Sequence, residues 1–212
     1  MYKKFFKRFL DIIVSLIALP FVLLAVVILA PFIWLEDRGP IFYNATRRGR
    51  NGKNFKMFKL RSMYINAPDI RNTDGSTYNG DDDPRVTKIG HFMRKTSLDE
   101  LPQFLNVLKG DMSIVGPRPV LATKPYEQLP ELSKRRLAAR PGITGYAQAY
   151  FRNSISQDEK FQHDCYYIAH ISFLFDLKIL VKTALSVLKR ENIYVSPDSK
   201  SKEDSTEPKA IN

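Results

Sequence analysis

Residues 12–35 carry no charged side chain. That run of 24 residues exceeds the roughly 20 apolar residues a helix needs to cross a bilayer, so it constrains the fold more than any other stretch. Lys3, Lys4, Lys7 and Arg8 precede it, and Glu36, Asp37 and Arg38 follow. Basic flanks stay on the cytoplasmic side. The apolar core is too long for a signal peptide, and no small-residue cleavage site follows it, so the run reads as a retained membrane element. Asp11, at its edge, can pair with Arg8 or reach the interface. Pro20 lies within the run and Pro31 near its end; each removes a backbone hydrogen bond and kinks or breaks a helix. Two arrangements follow, a kinked span or a hairpin that leaves by the side it entered. Basic residues are dense downstream too, at Arg38, Arg47, Arg48, Arg50, Lys53, Lys56, Lys59 and Arg61, which fits re-entry better than crossing.

The length suits one globular domain with accessories, or at most two small domains. Lys and Arg number 33 against 22 Asp and Glu, a net charge of +11, which points to phosphates, nucleic acid or an acidic membrane surface as partners. Cys165 is the single cysteine, so an internal disulfide framework and a cysteine zinc site are excluded. Residues 41–43 and 55–63 read as strands and 47–51 as a basic turn. Residues 66–85 form a polar loop rich in Asn, Asp, Gly and Pro, and 89–93 begin a short helix. Apolar spacing predicts a helix over 98–108, closed by Gly110. Residues 115–119 are extended and rigid, 127–139 helical, and 140–145 a stiffened loop. Helices follow at 157–170 and 174–188, the second amphipathic. From Ser196 onward there is almost nothing to bury, and the tail reads as disordered. The class is α+β, rich in α.

Four segments offer chemistry. Ser97 and Glu100 have capping-box spacing, which puts Asp99 in a first helical turn, where the backbone favours an ionised carboxylate and any phosphate it meets. Arg94 and Lys95 add positive charge; the plainer reading is a solvated helix start, and Pro102 sits awkwardly at a fifth helical position. Arg118, between Pro117 and Pro119, presents a planar fork on a stiff loop, suited to bidentate phosphate binding or to pairing with Asp111. Arg140 begins a loop whose Gly142 lets backbone approach a ligand closely, or which is a plain turn. Asp81, Asp82 and Asp83 offer oxygen ligands for a divalent metal, against the commoner reading of a solvated acidic loop. His91, His163 and His170 show no metal-ligand spacing.

These segments, in order, resemble the small monotopic phosphoglycosyl transferases, the bacterial sugar transferase family. The matching stretches are 7–11, 58–63, 83–90, 94–103, 109–119 and 140–148, so the resemblance runs from about Lys3 to Arg190. It implies that Asp99 is a nucleophile toward the β-phosphate of a nucleoside diphosphate sugar, with a uridine base expected. Glu100 is its partner carboxylate, and Asp99 and Glu100 together hold Mg2+. The resemblance assigns phosphate to Arg118 and makes Arg94 and Arg140 helpers, with Lys59, Arg61, Pro117 and Gly142 on the substrate side. A phosphosugar-aspartyl intermediate would be taken up by polyprenyl phosphate, the first membrane step of glycoconjugate assembly. The family's membrane element is re-entrant and broken at proline, here Pro20, with amphipathic helices on the membrane plane. The division is then 1–38 re-entrant helix-break-helix, 39–195 catalytic domain and 196–212 tail. The expected location is the bacterial inner membrane, with the catalytic domain on its cytoplasmic face. No nucleic acid is expected as partner, and a homo-oligomer is allowed.

The chain departs from the family pattern at Leu19, where Ser often precedes the proline, and at Tyr146, where many members carry Trp. Residues 149–153 lack the usual glycines, so the sugar is not read from them. The rival readings are a membrane-tethered nucleic-acid binder, for which no signature is present, an adaptor without chemistry, and a metal-dependent glycosyltransferase built on Asp81 to Asp83.

Overall fold

A computed structural model describes residues 1–70, 78, 80, 82–151 and 154–188. The expected disordered tail and part of the 66–85 loop lie outside them. The architecture is a helix-rich α+β domain carrying one long apolar helix, α1 (Lys7–Asp37), long and apolar enough to cross a membrane. Pro20 and Pro31 both lie inside α1. Each proline removes one hydrogen bond of the ladder, and the bonds on either side suffice to keep the backbone helical.

Both ends of α1 are fastened to the same domain. Near the start, Arg8 donates to the Val107 and Leu108 carbonyls at 2.6 and 3.0 Å. Asp11 accepts from the Ser113 hydroxyl at 2.8 Å and the Ile114 N–H at 2.9 Å. At the far end, Arg61 grips both oxygens of Asp37 at 2.6 and 2.7 Å, and Glu36 accepts from Ile89 N–H. Between these ends, Asp11, Ser15, Val22, Leu29 and Ile33 are buried. Their spacing of four and seven draws one stripe along the helix. Ile17, Phe21, Leu24, Val27 and Leu35 stay exposed.

Two small sheets complete the domain. Strand β1 (Ala45–Arg48) lies between β2 (Asn54–Met57) and β4 (Val120–Leu121), antiparallel to both, with Arg47 opposite Phe55 and Leu121. Strands β3 (Ser113–Val115) and β5 (Gly142–Thr144) pair in parallel. Four sequence readings are corrected here. Residues 41–43 form only a bridge from Phe42 to Leu60. The basic turn at 47–51 begins inside β1, and the strand expected over 55–63 stops at Met57. The loop at 140–145 contains β5, because a Cβ on Gly142 would meet Gly116 N at 2.1 Å and Thr144 O at 2.2 Å. Glycine there lets two backbones close on each other, which a loop reading of Pro-Gly misses.

Helix α2 (Lys88–Thr96) is longer than expected, and α3 (Gln103–Lys109) shorter. The 127–139 helix reduces to α4 (Glu131–Arg136), because Pro130 precedes its first turn and starts it afresh. Helix α5 (Tyr146–Tyr150) is short, α6 (Gln157–Ala169) opens on a Ser156–Glu159 capping box, and α7 (Phe173–Leu188) matches its periodicity. The main core joins Phe55, Met57, Val107, Met112, Val115, Tyr167 and Ile179. A second cluster packs Leu29 and Ile33 of α1 on Leu60 and Met93. On α7, Phe173, Leu174, Leu177, Val181 and Leu185 remain exposed, a second apolar face beside that of α1.

Candidate active site

The segment after β2 is irregular, yet held at each step. Phe58 N–H donates to Asn106 Oδ1 at 2.8 Å, Tyr43 N–H to the Lys59 carbonyl at 2.9 Å, and Leu60 N–H to the Asp99 carbonyl at 2.9 Å. These bonds bring Lys59 against the Asp-Glu pair. Its Nζ lies 2.7 Å from Asp99 Oδ2 and 3.3 Å from Glu100 Oε1. Arg118 Nη2 stands 3.7 Å from the same Glu100 oxygen. The order in space is therefore Asp99, Lys59, Glu100, Arg118, with charges alternating in sign.

Asp99 and Glu100 sit in a single 3-10 turn (Leu98–Glu100), and the continuous helix expected over 98–108 is corrected. The capping box does not form. Ser97 ends α2 in the left-handed conformation at φ 58° and makes no side-chain cap. Pro102 precedes α3, where its missing N–H costs nothing. Asp99 still lies at the head of a helical turn, and only 2% of it is exposed. Burial pushes its carboxyl up, Glu100 adds to that push, and Lys59 and Arg94 offset only part of it. Glu100 is also pushed up by burial, but Lys59, Arg118 and Arg47 overcome this and hold it below the usual range. For Lys59, burial would lower the ammonium, and the two carboxylates instead hold it above its ordinary value. The ionised form of Glu100 is thus secured by its cations, whereas Asp99 stays closer to protonation.

The surrounding residues divide clearly. Arg118 has an exposed side chain and does not pair with Asp111, which meets Lys109 at 3.2 Å. Its carbonyl accepts from Arg136 at 2.8 Å. Arg136 is buried and paired with Asp164 at 2.5 Å, so a fixed strut lies behind the loop. Arg94 donates to Ser62 Oγ at 3.1 Å and contributes to the electrostatics of Asp99. Arg61 is not free for substrate: its guanidinium is taken up by Asp37 and the Pro40, Met63 and Ile33 carbonyls. Arg140 donates to the Gly110 carbonyl at 2.9 Å, at the opposite end of α3 from Asp99. Pro117 and Gly142 bond to one another through backbone at 2.9 Å. The solvated reading of the acidic loop is corrected at Asp83, which is buried and grips Arg85 at 2.8 Å; Asp82 accepts from the Tyr78 hydroxyl, and Asp81 lies outside the described residues.

No group of three His, Cys, Asp or Glu that could hold a metal exists among the described residues. Asp99 and Glu100 supply two hard oxygen donors, with the Lys59 ammonium between them. Mg2+ is commonly held by one or two carboxylates plus the phosphates of its substrate, so this pair fits an ion shared with a diphosphate and not a cage closed by protein. Sequence reasoning missed Asn106, Ser62, Arg136 and Asp164, because their partners are distant in the chain.

A carboxylate ringed by lysine and arginine suits attack on a phosphate ester. A family model described as bacterial sugar transferase matches residues 2–190. The chain is 45% identical over 190 residues to the galactosyl transferase CpsE of Streptococcus agalactiae, covering 86% of this chain and 42% of that protein. It is 41% identical over 195 residues to the UDP-glucose:undecaprenyl-phosphate glucose-1-phosphate transferase of Escherichia coli, covering 89% and 41%. It is 40% identical over 190 residues to an uncharacterized sugar transferase, EpsL, of Bacillus subtilis, covering 88% and 89%. The chain thus spans less than half of the first two relatives and most of the third.

Proposed function

We infer the activity from one premise: the chain belongs to the bacterial sugar transferase family. We propose that it transfers a sugar phosphate from a UDP-sugar to undecaprenyl or a similar polyprenyl phosphate. The observation that carries this reading is the buried Asp99 carboxylate, 2.7 Å from Lys59 and followed in space by Glu100 and Arg118. An oxygen of Asp99 attacks the β-phosphorus. The bond from that phosphorus to the bridging oxygen breaks, its electron pair leaves on UMP, and the phosphosugar stays on Asp99. An oxygen of the polyprenyl phosphate then attacks the same phosphorus and displaces the carboxylate, giving polyprenyl diphosphate sugar. Splitting one displacement into two is what a carboxylate nucleophile offers. Lys59 keeps Asp99 oriented and supplies charge to the phosphoryl oxygens. Mg2+, held by Asp99 and Glu100 together with the diphosphate, would neutralise substrate charge.

The membrane arrangement follows the same logic. Arg8 and Asp11 at one end of α1, and Glu36 and Asp37 at the other, are bonded to a single domain. That geometry supports a helix that enters and leaves by one face, with α7 lying on the surface and the domain on the cytoplasmic side of the bacterial inner membrane. Cysteines introduced at Lys3 and Lys53 in a Cys165→Ala background should both label from the cytoplasmic side only. Adding Pro20→Ala should leave that pattern unchanged, because the bonded anchors remain. Labelling of the two positions from opposite sides would show a span.

The activity is tested with the full chain in detergent, magnesium, undecaprenyl phosphate and a panel of UDP-sugars, reading released nucleotide. UMP supports the proposal; UDP would indicate ordinary glycosyl transfer. In this assay Arg118→Ala should lower kcat/KM about 10- to 100-fold, the scale of one hydrogen bond to a charged group. Unchanged kinetics would remove Arg118 from the site.

A further inference from the structure

Arg47 is the neighbour of this cluster that its chemistry has not used. It lies on β1, opposite Phe55 on one side and Leu121 on the other. Strand alternation separates it from Arg48, which is buried and donates to the Gly52 and Lys124 carbonyls. Arg48 thus holds the sheet to the next loop, while Arg47 is spared for the opposite face. That face is the catalytic one: Arg118, Tyr43 and Glu100 are the charged and titratable groups that act on Arg47. Its Nε is buried and meets no hydrogen-bond acceptor. A buried N–H of a charged group is costly to leave unmet, and two neighbouring guanidiniums repel unless an anion lies between them. Glu100 does not fill that need, since its carboxylate is already held by Lys59 at 3.3 Å and approached by Arg118 at 3.7 Å.

We infer that Arg47 and Arg118 form a two-armed clamp for the phosphate of the departing nucleoside monophosphate. The inference rests on the transferase reading above and assigns one half of its diphosphate. Asp99 and Lys59 lie at one end of the cluster, so the phosphorus under attack belongs there. The second phosphate, one bridging oxygen away, then falls toward Glu100, Arg118 and Arg47. When the β-phosphorus to bridging-oxygen bond breaks, the electron pair passes to that oxygen, and the nucleotide phosphate gains a negative charge. Cations aimed at charge that develops in the transition state accelerate the step that creates it.

The test uses the full chain in detergent, with UMP and uridine as binding probes by calorimetry, and UMP release from UDP-glucose and UDP-galactose as the rate. Arg47→Met should weaken UMP binding about 10-fold or more and lower kcat about 100-fold, while uridine binding and the KM for undecaprenyl phosphate stay as in the parent. Arg47→Lys should recover part of the UMP affinity, because it restores the charge without the planar fork, and it guards against mere loss of fold in the Met variant. Parent-like UMP affinity and kcat in Arg47→Met overturn the inference and leave the transferase reading standing. Equal loss of uridine and UMP binding also overturns it, since a phosphate clamp does not touch the nucleoside. Failure of the parent chain to release UMP with any donor overturns the transferase reading, and the clamp with it.

Discussion

Asp99→Asn should abolish UMP release, by about 10⁴-fold or more, the scale set by removing a covalent nucleophile. The parent chain, incubated with donor and no lipid acceptor, should gain the mass of one phosphosugar, and the variant should gain none. The same substitution should leave the melting temperature at pH 7 unchanged or raise it. Burial pushes the Asp99 carboxyl up in the folded chain, so the unfolded chain gives up that proton at lower pH than the folded one. Between the two pKa values the folded state binds more protons, and stability falls as pH rises. Asparagine removes that penalty while still filling the pocket. A variant that turns over normally would refute Asp99 as nucleophile, and one that loses activity only through unfolding would reveal itself in the melting curve. The raised carboxyl also sets the pH profile: Asp99 attacks only when ionised, so the acid limb of kcat/KM should lie above the ordinary carboxylate range.

The legible parts of this chain are those whose cause is local. Helix α7 was readable because its apolar residues repeat at helical spacing, and the charge-free run of α1 because a bilayer demands length. The Asp99 turn was found through the order of its residues even though its assumed capping box was wrong. Ser97 takes a left-handed conformation to end α2, and Pro102 stands at the N-cap of α3. What escaped reading depends on distant partners. Arg61 looked like one more basic residue near a phosphate site, and it is the bolt that holds Asp37 at the end of α1. Arg136, inside the segment expected as a helix over 127–139, fixes the Arg118 carbonyl while paired to Asp164. Strand β5 was hidden inside a Pro-Gly segment, because three residues pairing in parallel with β3 leave no alternation to detect. Arg140 donates to the Gly110 carbonyl, at the other end of α3 from Asp99.

Lys59→Met should lower kcat/KM about 10²- to 10³-fold at neutral pH, the cost of losing a charge aimed at the reacting phosphate. It should also change the shape of the pH profile. Lys59 is the main influence that draws the Asp99 proton away against burial. Without it two carboxylates face each other in a buried turn, and such a pair relieves its repulsion by keeping a proton. That proton settles on Asp99, the less exposed of the two, and blocks the nucleophile. The acid limb should therefore move to higher pH, and the deficit against the parent should shrink as pH rises and Asp99 ionises. A lysine that served only to bind substrate predicts a deficit that stays constant across the acid limb. Measuring kcat/KM for the donor in both chains from pH 5 to 9 separates the two, and a parallel pair of profiles would refute the view that Lys59 sets the ionisation of Asp99.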